Sequence, residues 1–172
     1  MSDQLKKHIR SIPDFPKAGI LFKDITTLLK NKAAFKKAID SLAKAVKGKK
    51  IDYVLSIESR GFIFGAALAY KLGAGFVPIR KKGKLPAETI CATYSLEYGT
   101  DTLEMHKDAI RPNSKILIVD DLLATGGTMQ AVVQMAEKAQ AKISGIIFLI
   151  ELCDLKGREK LKGYPVHSIL KY

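Results

Sequence analysis

The sequence predicts an α/β fold: a doubly wound, mainly parallel sheet flanked by helices. Two observations predict it. Short apolar runs of strand length alternate along the chain with segments whose apolar residues recur at helical spacing. The strongest buried-strand candidate, residues 115–119, leads into two aspartates and then a small-residue turn that opens a helix. Alternation of this kind favours parallel strands, because each helical crossover returns the chain to the same end of the sheet.

The elements follow in order. Residues before Asn31, with Pro13, Phe15, Pro16 and Gly19, break the strand–helix rhythm and are expected to form a small hood over the sheet, about residues 1–30. Residues 31–48 predict an amphipathic helix with Phe35, Ala38, Ile39, Leu42, Ala43 and Val46 on one face and Gly48 as its stop. Residues 51–57 predict a strand, 61–72 a helix ended by Gly73, and 75–79 a second strand, which Pro78 places near an edge or a strand end. Residues 94–98 and 102–106 flank Gly99-Thr100-Asp101 as the arms of a hairpin. The whole excursion, about 82–108, is long enough for a flexible lid. A buried strand at 115–119, a helix at 128–139 and a strand at 143–149 complete the pattern. The chain has 172 residues, 47% of them apolar, and no linker or repeat, so a single domain over 1–172 is expected.

Composition narrows the function. The N-terminus has no apolar signal region, and no run approaches the roughly 20 apolar residues of a membrane span. A soluble, cytoplasmic protein with no membrane partner is expected. Cys91 and Cys153 stand alone, without a partner at metal-ligand spacing, which fits ordinary thiols in a reducing compartment. The formal net charge of +12 raises nucleic-acid binding. The lysines between Lys30 and Lys50, however, have the spacing of a solvated helix face and no interleaved aromatics, so no nucleic-acid partner is expected. The block Arg80-Lys81-Lys82-Gly83-Lys84 follows a strand and suits a polyphosphate, with Lys82 read as solvated.

The decisive stretch is Ile116-Leu117-Ile118-Val119-Asp120-Asp121-Leu122-Leu123-Ala124-Thr125-Gly126-Gly127-Thr128. In open α/β sheets ligands bind beyond the carboxyl ends of the strands. Glycines there let backbone N–H groups converge on a phosphate at a helix N-terminus. Adjacent aspartates would repel that phosphate unless they face something else, and vicinal ribose hydroxyls fit: carboxylates accept strong hydrogen bonds from them. A Walker-type loop is excluded, because Thr128-Met129 follows the last glycine where Lys then Ser or Thr is required. Glu58-Ser59-Arg60-Gly61-Phe62 repeats the strand-turn-helix arrangement, and its guanidinium suits pyrophosphate oxygens.

The 116–128 run resembles the 5-phosphoribosyl-1-pyrophosphate (PRPP) signature of the type I phosphoribosyltransferases, and family motifs follow one another in order from about Ile12 to Glu159. The resemblance implies that fold, with hood and lid. It assigns the PRPP 5′-phosphate to Ala124, Thr125, Gly126, Gly127 and Thr128, and the ribose to Asp120 and Asp121. Pyrophosphate falls to Ser59 and Arg60, in a loop expected to contain a cis peptide, together with Arg80, Lys81 and Lys84. Some of these basic residues are expected to act across a homodimer. Mg²⁺ is expected as a cofactor held mainly by substrate oxygens.

Asp14-Phe15-Pro16-Lys17-Ala18-Gly19-Ile20-Leu21-Phe22-Lys23-Asp24-Ile25 is similar to the segment with which adenine phosphoribosyltransferases close over the base. The implied partners are adenine and PRPP as substrates and AMP and pyrophosphate as products, in purine salvage. Phe22 offers a stacking face, although plain core burial is an equal reading, and the backbone of Leu21 and Lys23 can pair with adenine. A 6-oxo purine presents the reverse donor pattern. Leu152 is read either as packing on the base or as core. Lys23 departs from the arginine of many relatives, which matters only if its side chain reads the base. Tyr94-Ser95-Leu96-Glu97-Tyr98-Gly99 resembles the catalytic loop, with Glu97 as the candidate acid or base and an exposed hairpin carboxylate as the alternative. His106 is read as a solvated strand residue, with pyrophosphate contact the alternative. The rival classes are a PRPP-sensing regulator, for whose DNA-binding domain the chain has no room, and a transferase for guanine, hypoxanthine or xanthine, against which the 15–23 segment argues.

Overall fold

The computed structural model describes residues 2–95 and 100–172. The N-terminal segment folds as helix α1 (Ser2–Lys6), strands β1 (Arg10–Ile12) and β2 (Phe22–Asp24), and helix α2 (Thr26–Leu29). The alternating part follows: α3 (Lys32–Lys44), β3 (Tyr53–Ile57), α4 (Arg60–Leu72) and β4 (Gly75–Lys81). A hairpin of β5 (Thr89–Ser95) and β6 (Thr100–His106) precedes β7 (Lys115–Leu123), α5 (Gly127–Lys138) and β8 (Lys142–Glu151). Two 3-10 turns, Cys153–Leu155 and Gly157–Leu161, lead to β9 (Val166–Lys171).

Among the described residues, seven strands form one sheet in the order β5-β6-β4-β3-β7-β8-β9, and β1 pairs with β2 in a separate antiparallel ribbon. The run from β4 through β9 is parallel, and the hairpin adds antiparallel strands beyond β4. Strand period sorts the core into two layers. Ile116 and Ile118 of β7 join Leu55, Ile146 and Phe148 against Val132, Met135 and Ala136 of α5. Leu117 and Val119 point the other way, onto Ala38 and Leu42 of α3 and Phe64 and Leu68 of α4. Each strand of the centre is therefore buried on both faces, which is why its sequence reads as a continuous apolar run.

Local signals explain the boundaries. Asn31 caps α3 by accepting hydrogen bonds from the Ala33 and Ala34 N–H groups, and Gly73, at φ 65°, ends α4 in the left-handed conformation. The solvated reading of the lysine-rich stretch holds: Lys32, Lys36, Lys44, Lys47, Lys49 and Lys50 are exposed.

Four features differ from the sequence reading. First, β7 does not stop at Val119; it carries both aspartates and runs to Leu123, because Asp120 and Leu122 stay paired with Phe148 and Ile150 of β8. Second, Pro78 lies within β4 rather than at a strand end, in a part of the strand that is an edge on one side, in agreement with the edge alternative. It is tolerated because β6 pairs only with Arg80 and Lys81, leaving the earlier part of β4 bonded on the β3 side. Third, the arms of the 82–108 excursion are sheet strands, with Ala92, Leu103 and Met105 buried in the α5-side core. Fourth, β9 extends the sheet beyond the last predicted strand, with alternation too weak to announce it. The hood is docked firmly: Leu5, Ile25 and Leu28 are buried in the same cluster as α3 and α4.

Candidate active site

Two strand-turn-helix units, β3–α4 and β7–α5, stand side by side and present their turns at the carboxyl end of the sheet. β3 delivers Glu58 and Ser59, joined by a cis peptide bond, and α4 begins at once with Arg60. β7 delivers Asp120 and Asp121, and the 124–126 turn then leads into α5. Arg60, Asp120, Asp121, the 122–126 segment, Thr128, Met129 and Phe148 line one cavity of about 210 Å³.

Close backbone approach shapes both turns. Gly126 sits at φ 81°, and a Cβ there would meet the Gly157 carbonyl oxygen at 2.5 Å. A Cβ on Gly157 would in turn stand 2.1 Å from the Ala124 carbonyl oxygen. The turn before α5 therefore rests directly on the backbone of the second 3-10 turn. In the other unit a Cβ on Gly61 would come within 2.7 Å of Asp120 Oδ1, so glycine at that point of α4 makes room for the carboxylate. Beyond the glycine turn, the first N–H groups of α5 lack intrahelical acceptors and carry the positive end of the helix dipole, a setting that favours an anion.

The two units neutralise each other. Arg60 Nη2 lies 2.7 Å from Asp121 Oδ2. That oxygen is buried and, close as the guanidinium is, receives no well-directed hydrogen bond; charge rather than alignment holds the pair. Burial and the neighbouring Asp121 push the Asp120 carboxyl well above its ordinary value, although part of the residue remains accessible. Burial also raises Asp121, with Arg60 pulling the other way. The Asp121 backbone N–H donates to Asp120 Oδ1 at 2.8 Å, which holds the Asp120 carboxylate against the strand.

A family model described as phosphoribosyl transferase domain matches residues 24–170. The chain is 57% identical to the adenine phosphoribosyltransferase of Brachyspira hyodysenteriae, over 98% of this chain and 99% of that one. It superposes on the crystal structure of the Thermoanaerobacter pseudethanolicus adenine phosphoribosyltransferase with a TM-score of 0.97, at 55% identity and with both chains fully covered. This chain belongs to the adenine phosphoribosyltransferase family. Another member, from Saccharomyces cerevisiae, matches with a TM-score of 0.92 at 45% identity, over 98% of this chain and 97% of that one. It was solved with an imino-altritol bisphosphate and adenine.

Within this phosphoribosyltransferase fold, one chain gathers only part of the residues singled out from sequence. Asp120, Asp121, Ala124, Thr125, Gly126, Thr128 and Arg60 line the cavity; Gly127 opens α5 beside them, and Ser59 immediately precedes α4 without a side-chain capping bond. Arg80, Lys81 and Lys84 do not line it. The Arg80 guanidinium pairs with Glu58 at 2.8 Å, the Lys81 ammonium with Asp101 at 3.1 Å, and the Lys84 carbonyl accepts from Arg80. Burial opposes it, but the Lys81 N–H and the Arg80 guanidinium together hold the Glu58 carboxyl below its ordinary value. Glu97 lies outside the described residues.

In the hood, Leu21 is exposed and Phe22 stands edge-on to Phe15, with ring centroids 5.1 Å apart. The Arg60 guanidinium lies 5.0 Å over the Phe22 ring, and its Nη1 donates to the Lys23 carbonyl at 3.4 Å. The Lys23 side chain turns away from the cavity onto Ser11 and Tyr172. Half-buried Leu152 donates its N–H to Leu123 and packs on the α3-side core. His106 is not solvated at its ring tip: Nε2 is buried without a hydrogen-bond partner. Sequence reasoning missed Glu58, Gly61 and Gly157 as parts of the site. Gly61 and Gly65, spaced at one helical turn, were the available signal for close approach of α4 to the sheet.

Proposed function

We propose that the protein transfers the 5-phosphoribosyl group of PRPP to adenine in purine salvage, giving AMP and pyrophosphate. The observation that carries this reading is the single cavity in which a guanidinium, two aspartates and a glycine turn at a helix N-terminus converge. The three parts of PRPP require those three chemistries in that order. The 5′-phosphate goes to the turn formed by Ala124, Thr125, Gly126, Gly127 and Thr128, where backbone N–H groups and hydroxyls receive it. Asp120 and Asp121 accept hydrogen bonds from the ribose hydroxyls and place negative charge beside the anomeric carbon as it becomes cationic. Arg60 and the Ser59 turn receive the leaving pyrophosphate.

Adenine enters between the hood and the ribose site. The backbone of Leu21 and Lys23 reads its amino edge, and Phe22 and Leu152 supply apolar faces. The Lys23 side chain points elsewhere, so lysine in place of arginine changes no direct contact with the base. Glu97 is assigned the proton lost from the purine. The donor set at the strand ends, two carboxylates already facing a guanidinium, suits Mg²⁺ carried on substrate oxygens rather than in a protein cage. When bound, the ion supplies neutralising charge to the pyrophosphate. Everything else falls to the residues named, which bind both phosphate ends and so apply that binding energy at the reacting carbon.

A homodimer and a cytoplasmic location complete the proposal. Ile63 and Tyr70, two turns apart, share a face of α4 and are exposed, Tyr70 at 92%, and Phe76, whose ring meets Phe62 of the same helix, is exposed as well. This apolar face next to the pyrophosphate turn suits a second copy, whose Arg80, Lys81 and Lys84 are then candidates to approach the pyrophosphate. Among the described residues no helix is long and apolar enough to cross a membrane. The test is AMP formation from PRPP and Mg²⁺ with adenine, hypoxanthine, guanine or xanthine. Selective turnover of adenine supports the reading, whereas turnover of another base instead overturns the assignment to the hood, and no turnover with measurable PRPP binding turns the reading toward a sensor.

A further inference from the structure

Lys23 is a buried cation without a carboxylate. It is 7% exposed, and none of the ion pairs among the described residues includes it. Its ammonium instead donates to Ser11 Oγ at 3.0 Å and lies 4.0 Å from the centroid of the Tyr172 ring. The Lys6 ammonium stands over the same ring at 4.9 Å. Enclosing a lysine this way is unfavourable unless something compensates the lost hydration, and the negative face of an aromatic ring does so. Burial, with the nearby Lys6, lowers the pKa of Lys23, as such an enclosure should.

The ring is held on a rigid frame. The Tyr172 N–H donates to Glu151 O at 3.0 Å, and its carbonyl accepts from the Cys153 N–H at 2.8 Å, so both backbone groups of the residue are fastened to the end of β8. At its other end Lys23 faces the site: its carbonyl meets Arg60, Arg60 meets Asp121, and the preceding residue is Phe22. A continuous series of contacts thus runs from the β8–β9 frame through Tyr172 and Lys23 to the residues assigned to the base and the ribose.

We infer that Tyr172 is a positioning residue that sets affinity for the purine base, its ring anchoring the Lys23 side chain so that the Phe22–Lys23 backbone stays aligned over the cavity. The inference deepens the proposed function and rests on it for the identity of the base. It separates two roles within Lys23, the side chain as tether and the backbone as reader.

The experiment compares Tyr172→Leu, which removes the ring face, with Tyr172→Phe, which keeps it. Steady-state kinetics are measured with adenine and PRPP varied separately, alongside thermal denaturation. Tyr172→Leu is expected to raise the KM for adenine about 10-fold, the order of a desolvated cation–π contact, with kcat and the KM for PRPP within about twofold. Tyr172→Phe restores the wild-type value, and Lys23→Met reproduces the leucine variant. An unchanged adenine KM in Tyr172→Leu overturns the inference. So does a loss shared equally by all parameters, with a lowered Tm and no rescue by phenylalanine. Should the wild-type protein not use adenine, the proposed function fails instead. Amide hydrogen exchange of Phe22–Asp24 then decides the tether alone, faster exchange in Tyr172→Leu than in Tyr172→Phe supporting it and equal exchange sinking it.

Discussion

The β3–α4 and β7–α5 units have the same geometry and opposite chemistry. In the first, the helix begins straight after the Glu58–Ser59 bond, and its first residue, Arg60, supplies a cation. In the second, two carboxylates sit on the strand itself, and a turn with left-handed Gly126 separates them from the helix N-terminus. A short turn suits a side-chain grip on an anion, since a long cation then projects from the helix start. A longer glycine turn suits a backbone grip, since N–H groups can converge. Adjacent placement lets the cation of one unit neutralise the carboxylates of the other through Arg60 and Asp121. On the proposed function, a ligand with an anionic end and a hydroxylated middle would exchange that pair for contacts to each partner separately, the anion to Arg60 and the hydroxyls to Asp121.

The comparison breaks hardest at the backbone grip. Gly157→Ala places a Cβ 2.1 Å from the Ala124 carbonyl oxygen, and backbone on both sides leaves no flexible atom to yield. The 124–126 turn must shift, and PRPP affinity is expected to fall by about 1,000-fold or more, roughly 4 kcal/mol. Calorimetric titration with PRPP checks this, and binding within tenfold of wild type shows that the turn does not depend on its seat. Next comes Asp121→Asn, which removes the partner of Arg60 and the proposed ribose acceptor together. AMP formation is expected to drop by about two to three orders of magnitude, as for loss of a preorganised charge contact. Turnover near wild type contradicts the assignment.

How far each unit could be read from sequence follows from the same contrast. The backbone grip announces itself, because a glycine turn after an apolar strand and two aspartates is unusual in composition. The side-chain grip is quieter: Arg60 was legible, but the pairing of Glu58 with Arg80, 22 positions away, depends on β3 and β4 lying in register. Gly157 was invisible as a site residue because its role is a through-space contact with Ala124. The sheet was legible wherever strands are buried on both faces. It failed at β9, an edge strand with mixed burial, and at the end of β7, where pairing with β8 carries the strand through two charges that local propensity reads as a stop.

Asp120 gives a prediction of opposite sign for stability and activity. Burial, then Asp121, raise its pKa, so the folded state holds its proton more tightly than the unfolded state does. Between the unfolded pKa near 3.8 and the raised folded value the native state binds more protons, and stability falls as pH rises through that window. At neutral pH the Asp120 carboxyl therefore costs the folded state stability. Asp120→Asn, which keeps the shape and removes the charge, is expected to raise the Tm at pH 7 while lowering turnover, with the Tm gain vanishing at pH 3. A lower Tm at pH 7 shows that the carboxylate is stabilising where it stands and contradicts this sign.

The smallest effects sharpen the account of the side-chain grip. Arg80 and Lys82 belong to one basic block, yet Arg80 holds Glu58 behind the Ser59 turn, whereas Lys82 is exposed and joins the sheet through its backbone N–H to Thr102. If net charge alone draws the substrate, replacing either by alanine has the same effect. If the turn depends on the Arg80–Glu58 pair, the two diverge. Arg80 is about a third exposed, so solvent screening limits the pair to about 1 kcal/mol, and Arg80→Ala is expected to raise the KM for PRPP about fivefold. Lys82→Ala is expected to stay within about twofold, in the range of an ordinary surface substitution. Parallel PRPP titrations at low and high salt separate the cases: equal shifts that vanish in salt point to charge alone, while a shift confined to Arg80→Ala that survives in salt points to the pair behind the turn.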